Sequence, residues 1–275
     1  MSPDVFGCYL CGSPDMTIIA TITRQPSGET DFGIPAARYR RLVMQCQECL
    51  VYCNVHGYIP DDFYRGRYNE DTYGRQILEK YRQIRGLPRE KSDNKHRAER
   101  VAAFLDGLGL PREQVSILDV GSGLGVFPAE MKDMGFKCYC IDPDPAAAEH
   151  ALKNIGVEGA HTGTLDGFKT DRKFDLISFN KVLEHLKKPV PYLKRARDFL
   201  SSRGAVYVEL PDGDAALEHG TVVDREEFYI EHFTVFNRDS LAYLAREAGF
   251  DCLEVKSVHE PSDKYTIYTF MKPKV

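Results

Sequence analysis

The chain has 275 residues, 43% of them hydrophobic and 28% charged, which supplies a full core and excludes a disordered or collagen-like polymer. Its formal charge of -5, from 36 Lys+Arg against 41 Asp+Glu, gives no general attraction to nucleic acid or anionic lipid. No run reaches the roughly 18 apolar residues of a membrane span, and the start MSPDVFGCYL lacks the basic and apolar stretches of a secretory signal, so a cytoplasmic protein with no membrane partner is expected.

Residues 1–56 form a first zone that holds five of the eight cysteines: Cys8, Cys11, Cys46, Cys49 and Cys53. Short extended runs, Met16–Ile22 and Tyr39–Gln45, lie among them. Clustering of this kind in a cytosolic chain favours metal over disulfide. Cys8-x-x-Cys11 and Cys46-x-x-Cys49 are two knuckles separated by 34 residues. Each loop directs two thiolates at one centre, and four thiolates close a tetrahedron around Zn²⁺. A closed set leaves no open position, so the expected role is structural. Cys53 and His56 are then spare, and Cys138, Cys140 and Cys252 fall on predicted strands as core residues.

Residues 57–95 are polar and carry a third of the 15 tyrosines (Tyr58, Tyr64, Tyr68, Tyr73 and Tyr81). Apolar periodicity is confined to Ile77–Ile84, so this zone reads as a connector with one helix. From 96 to 275 helices and strands alternate. Ala98, Val101, Ala102 and Leu105 share one helical face that ends near Gly107. Val115–Val120 is a short apolar run of the buried parallel type. A glycine-rich turn and a helix follow, then a strand at Lys137–Ile141 and a helix with Ala148, Ala151, Leu152 and Ile155 on one face. Further strands are predicted at Val157–His161, Phe174–Phe179 and Ala205–Leu210. The last helix carries Leu241, Leu244, Ala245 and Ala248 on one stripe, with Asn237 as N-cap and Gly249 past its end. Cys252–His259 and Tyr265–Met271 close the chain as an antiparallel hairpin. The alternation predicts an α/β fold, a doubly wound, mostly parallel sheet.

The turn Asp119-Val-Gly121-Ser-Gly123-Leu-Gly125 lies where the first strand of that zone meets a helix. Glycine lets the backbone approach a ligand, and the helix start supplies free N–H groups. A dinucleotide fingerprint would place its third glycine at 126, which is Val. Asp119 would repel a pyrophosphate and welcome a cationic ligand bearing an ammonium and a sulfonium. Asp142, ending the next strand, is placed to take both hydroxyls of a ribose. The competing reading is a glycine turn that binds nothing.

ILDVGSGLGVF resembles motif I of class I S-adenosylmethionine-dependent methyltransferases. CIDPDP resembles their second motif, FDLISFNKVLEHLKKP their fourth strand with its following segment, and EHFTVFNRDSLAYLAREAGF a stretch of their C-terminal part. The resemblance covers residues 96–275 and implies a seven-stranded Rossmann-like sheet behind a small N-terminal zinc ribbon. It also implies S-adenosylmethionine as cofactor, with Gly121, Ser122, Gly123 and Gly125 lining its methionine end and Asp142 on its ribose. Pro143 would flank the adenine, Thr164 and Leu165 would border it, and Asn180 would lie near the sulfonium. Asp166 is the nearest acidic residue to the position that holds the adenine amine in this family. The connector is then either a surface helix or a lid in which Tyr64, Tyr68 or Arg97 closes over the methionine carboxylate.

A zinc ribbon before such a domain resembles bacterial sugar C- and O-methyltransferases of polysaccharide and antibiotic pathways. The expected acceptor is therefore a small molecule, a sugar or nucleotide-sugar hydroxyl. Since the chain stops after the hairpin, O- or N-methylation is expected over C-methylation. A hydroxyl acceptor needs a base as the new bond forms. Glu184-His185 and Glu231-His232 follow the fourth and fifth strands, at the sheet edge where ligands of such folds bind. His185 or His232 is the expected base, with Glu184, Glu231 or Tyr229 orienting it or the substrate. Two rival readings are an RNA methyltransferase with a zinc-ribbon reader and a non-catalytic scaffold. Residues 1–56 hold four arginines and no lysine against five acids, poor material for binding phosphates. Nucleic acid is not the expected partner.

Overall fold

The computed structural model describes residues 6–58 and 77–274. The first seven strands are β1 (Met16–Ile22), β2 (Arg41–Cys46), β3 (Tyr52–Val55), β4 (Ser116–Val120), β5 (Lys137–Asp142), β6 (Gly159–Thr162) and β7 (Phe174–Asn180), most of them rich in β-branched or apolar residues. β8 (Leu200–Pro211), β9 (Thr234–Val235), β10 (Phe250–His259) and β11 (Tyr265–Pro273) follow. The helices are α1 (Ile77–Arg85), α2 (Asp93–Asp106), α3 (Val126–Asp133), α4 (Pro145–His150), α5 (Pro189–Ala196), α6 (Gly213–Glu218) and α7 (Arg238–Glu247).

Two sheets result. The larger has seven strands in the order β10-β11-β8-β7-β4-β5-β6, and the smaller has the order β1-β2-β3-β9. β4 pairs in parallel with both β5 and β7, and β5 with β6, while β10 and β11 form an antiparallel hairpin. This is the doubly wound α/β architecture that the alternation of elements predicts. β4 and β7 are neighbours from which the chain winds outward in opposite directions, so their C-terminal ends flank the topological switch point, where open α/β sheets bind ligands.

By compactness the described residues fall into two units, one within Met1–Pro60, Lys181–Lys194 and Glu209–Val275, the other within Asp61–Asn180 and Arg195–Val208. In the second unit, the central strands are buried on both faces: Ile117, Leu118, Leu176, Ile177 and Phe179 have no exposed surface. α2 starts on Ser92, whose hydroxyl accepts from Lys95 N–H, and ends at Gly107. Arg85 of α1 forms an ion pair of 2.5 Å with the buried Glu130 of α3, which ties the connector helix to its neighbour.

In the first unit, the small sheet takes its fourth strand from a distant stretch, with Tyr52 opposite Val235 and Cys53 opposite Thr234. α7 begins with a reciprocal cap, Asn237 Oδ1 accepting from Ser240 N–H while Ser240 Oγ accepts from Asn237 N–H. Gly249, just past α7, sits at φ 82°, the left-handed conformation that glycine takes without strain. Among the described residues no helix is long and apolar enough to cross a membrane.

Candidate functional site

At the C-terminal end of β4 the backbone turns through Gly121, Gly123 and Gly125, all with positive φ (75°, 49° and 69°). Side-chain-bearing residues pay roughly 1–2 kcal/mol there. Gly121 N–H and Gly125 N–H donate to Ile141 O and Ser122 O, each at 2.7 Å, which closes the loop on itself and on β5. A Cβ on Gly125 would come within 2.2 Å of Ile155 Cδ1, so this glycine seats the loop against the protein. A Cβ on Gly123 would meet nothing within 4 Å, so this glycine faces open space. The two positions do different work.

Two buried carboxylates frame the turn. Asp142 is 4% exposed; its Oδ2 accepts from Gly123 N–H at 2.7 Å and its Oδ1 from Asp144 N–H at 2.9 Å. Burial raises its carboxyl to about 6 against those two donors. Each carboxylate oxygen keeps a lone pair for a further donor. Asp119 is 2% exposed, and its Oδ1 accepts from Ser178 Oγ at 2.7 Å and Asn180 Nδ2 at 2.8 Å. Desolvation raises it to about 7, opposed by those hydrogen bonds and by the Arg97 charge. Asn180 Oδ1 is buried without a hydrogen-bond partner among the described residues. A group that brings a cation and donors to this end of the sheet therefore fits the residues present: it would compensate both acids and meet the orphaned amide oxygen.

The remaining residues of the same region are placed as follows. Ser122 and Pro143 are half-buried, Thr164 is half-buried with its carbonyl accepting from Gly167 N–H, and Leu165 is fully buried. Asp166 is exposed. Arg97 is 7% exposed and donates from Nη1 to Asn94 Oδ1. Tyr64 and Tyr68 lie outside the described residues. Ser178 belongs to the Asp119 cluster and was not singled out in the sequence; a hydroxyl within an apolar strand, one residue before Phe179, is the signal that could have found it.

In the first unit, Cys8, Cys11, Cys46 and Cys49 bring their sulfurs within 4.8 Å of one another. The pairs Cys8–Cys49 and Cys11–Cys46 are 3.6 and 3.4 Å apart, close to the roughly 3.8 Å that a tetrahedral ion with 2.3 Å bonds to sulfur imposes. Leu10 N–H points at Cys8 Sγ and Ser13 N–H at Cys11 Sγ, donors that stabilise thiolates. Four converging sulfurs of this spacing could hold a metal ion.

The first unit also gathers the two Glu-His pairs. One ligand atom each of Glu184, His185 and His232 lies within 4.8 Å of the others, and the two imidazole centres are 5.0 Å apart. His185 Nδ1 is 3.0 Å from Glu231 O and His232 Nδ1 is 2.8 Å from Glu227 O. A carbonyl only accepts, so in each neutral ring Nδ1 carries the proton and Nε2 the lone pair. Burial lowers His185 to about 4 and His232 well below its ordinary value, so both rings are neutral at pH 7. Burial raises Glu231 to about 7. Glu184 has no exposed surface. Tyr229 Oη donates to Ser27 O at 3.0 Å, so its hydroxyl is engaged with the N-terminal segment.

Several known proteins are similar. The structure of a 1,6-didemethyltoxoflavin-N1-methyltransferase from Burkholderia thailandensis, with 1,6-didemethyltoxoflavin and S-adenosylhomocysteine bound, superimposes with a TM-score of 0.57 at 16% identity, covering 86% of this chain and 96% of that one. A magnesium protoporphyrin IX methyltransferase from Synechocystis PCC 6803 with bound S-adenosylhomocysteine gives 0.57 at 14% identity, covering 78% and 100%. These likenesses establish the fold. A mitochondrial ubiquinone biosynthesis O-methyltransferase from Schizosaccharomyces pombe is 31% identical over 93 residues, and the chain spans about a third of that relative's length, 31% of each being covered. The family model for a methyltransferase domain matches residues 94–255, more than half of the chain, from within α2 to within β10. The chain belongs to the methyltransferase-domain family.

Proposed function

We propose that this methyltransferase takes its methyl group from S-adenosylmethionine and passes it to a small molecule, with a sugar or nucleotide-sugar hydroxyl as the acceptor. The observation that carries the cofactor reading is the pairing of an open face at Gly123 with two buried acids, Asp119 and Asp142, raised to about 7 and about 6. S-adenosylmethionine supplies an electrophilic methyl on a sulfonium. Asp119 and Asn180 meet the positively charged end of that cofactor, with Gly121, Ser122, Gly123 and Gly125 shaping the backbone around it. Asp142 takes the ribose hydroxyls with the lone pairs left after holding Gly123 N–H. Pro143, Thr164 and Leu165 border the adenine.

Methyl transfer is an in-line displacement, so holding the acceptor atom about 3 Å from the carbon and excluding water supplies most of the acceleration. A hydroxyl must also lose its proton. Neutral His232 or His185, each with Nδ1 committed to a carbonyl, offers Nε2 for that task. Glu184, Glu231 or Tyr229 orients that base or the substrate. The S. pombe relative, by its name an O-methyltransferase, supports an oxygen acceptor. Cys8, Cys11, Cys46 and Cys49 hold a structural Zn²⁺. A screen of sugars, nucleotide-sugars and RNA with methyl-labelled cofactor tests the reading: label in a sugar hydroxyl supports it, and label only in RNA or in no acceptor overturns it.

A further inference from the structure

The segment Phe228–Phe233, which carries Tyr229, Glu231 and His232, is irregular apart from the end of a short 3-10 turn. An irregular buried stretch must find partners for its backbone groups outside itself. Here they come from the N-terminal zone. Asn54 Nδ2 lies 2.7 Å from His232 O, 3.2 Å from Tyr229 O and 3.3 Å from Phe228 O. Asn54 N–H donates to Phe233 O at 3.0 Å, and His56 Nε2 donates to Ile230 O at 2.9 Å. Arg41 Nη1 donates to Phe228 O at 2.7 Å, and Glu29 Oε1 accepts from Ile230 N–H at 2.8 Å.

These groups are linked to one another. Arg41 and Glu29 form an ion pair of 3.1 Å with no exposed side-chain surface on either residue. Arg41 also donates to Asn54 Oδ1, and Tyr39 Oη donates to Glu29 Oε2. A buried pair of this kind adds little net stability compared with apolar residues of the same volume. Its use lies in geometry: Glu29, Arg41 and Asn54 brace one another, and each also directs a donor or acceptor at the same six-residue stretch.

We infer that Glu29, Arg41, Asn54 and His56 are positioning residues that hold the backbone of residues 228–233 and thereby aim His232 at the acceptor. The N-terminal zone is thus part of the acceptor half of the enzyme rather than an independent reader. This rests on the reading of His232 as an acceptor-side group, but the test does not pass through turnover, so it stands or falls separately from the assignment of the base.

The test uses the full chain, labelled uniformly with ¹⁵N and saturated with S-adenosylhomocysteine. Asn54→Asp keeps the shape and the Arg41 partner while replacing the donor by an acceptor that repels three carbonyls. His56→Phe keeps the ring stacked on Phe233, 5.5 Å away, and removes the donor to Ile230 O together with the Nδ1 acceptor of Tyr58 N–H. Both are expected to exchange the Ile230 and His232 amides at least tenfold faster than the parent. Asn54→Asp is further expected to replace the single Nδ1–H signal of His232 by a tautomer mixture, with affinity for S-adenosylhomocysteine within twofold of the parent. His56→Asn, which restores a donor, should bring the exchange rates back toward the parent. If Asn54→Asp fails to fold, the His56 pair alone decides. Unchanged exchange and an unchanged His232 signal in folded variants would overturn the inference.

Discussion

Replacing Asp119 by Asn separates what this residue does for folding from what it does for binding. Burial raises the carboxyl from an ordinary 3.8 to about 7 in the protein without ligand. Three units correspond to about 4 kcal/mol of stability given up when the group is ionised in the folded state. The sign follows from linkage: a folded value above the unfolded one contributes stability that is full below the unfolded value and is lost as pH rises through about 7. Asn keeps an oxygen for Ser178 and Asn180 but introduces a buried NH₂ without a partner, which costs about 1–3 kcal/mol. At pH 8.5 the ligand-free variant should therefore be more stable than the parent by about 1–3 kcal/mol, and Tm should rise by about 2–4 °C for each. Near pH 4 the advantage disappears. Affinity for S-adenosylmethionine should fall by about ten- to hundredfold, since a charge-assisted contact is worth about 1.5–3 kcal/mol. Thermal unfolding at the two pH values and calorimetric titration at pH 8.5 read both effects. A variant that is less stable at pH 8.5 and binds the cofactor as the parent does would refute the reasoning.

Other consequences follow from the same residues. Since a bound cation favours ionised Asp119 and Asp142, S-adenosylmethionine affinity should weaken as pH falls from 8 through about 7 and about 6, by up to tenfold per unit; a flat titration series contradicts this. Gly123→Val should cost about 1–2 kcal/mol of stability for its φ of 49° and should abolish cofactor binding, because its side chain would enter open space beside the turn; circular dichroism and titration distinguish the two. His232→Gln should lower turnover of a hydroxyl acceptor by about 10²–10⁴-fold, with cofactor affinity unchanged by calorimetry. Elemental analysis should find one zinc per chain, and Cys46→Ser should release it and lower Tm, since Cys46 is fully buried.

The larger sheet was legible because its signals are local. Short strands with apolar centres alternate with helices whose faces repeat every three to four, and Asn237 and Gly249 punctuate α7 at both ends. The glycine turn was legible for the same reason: its conformation is demanded by residue type. Other features left no local trace. β9 has two residues, and its pairing with Tyr52 and Cys53 depends on chain just over 180 positions earlier. Asp142 reads as a ligand-binding acid, yet it also holds Gly123 N–H, a contact no periodicity encodes. Arg41 opens an apolar strand, where a charge looks like a solvated edge; in the structure it is completely buried against Glu29. Long-range polar networks of this kind are specified by shape in three dimensions, so sequence spacing is silent about them.

The most direct test of the central claim is a crystal structure of the full chain with S-adenosylhomocysteine. The account predicts an adenosyl group in the bend from Gly121 to Gly125, its ribose hydroxyls on Asp142 and its amino end toward Asp119. An adenosyl group bound elsewhere, or a bend that remains empty while the ligand saturates the protein in solution, would contradict it.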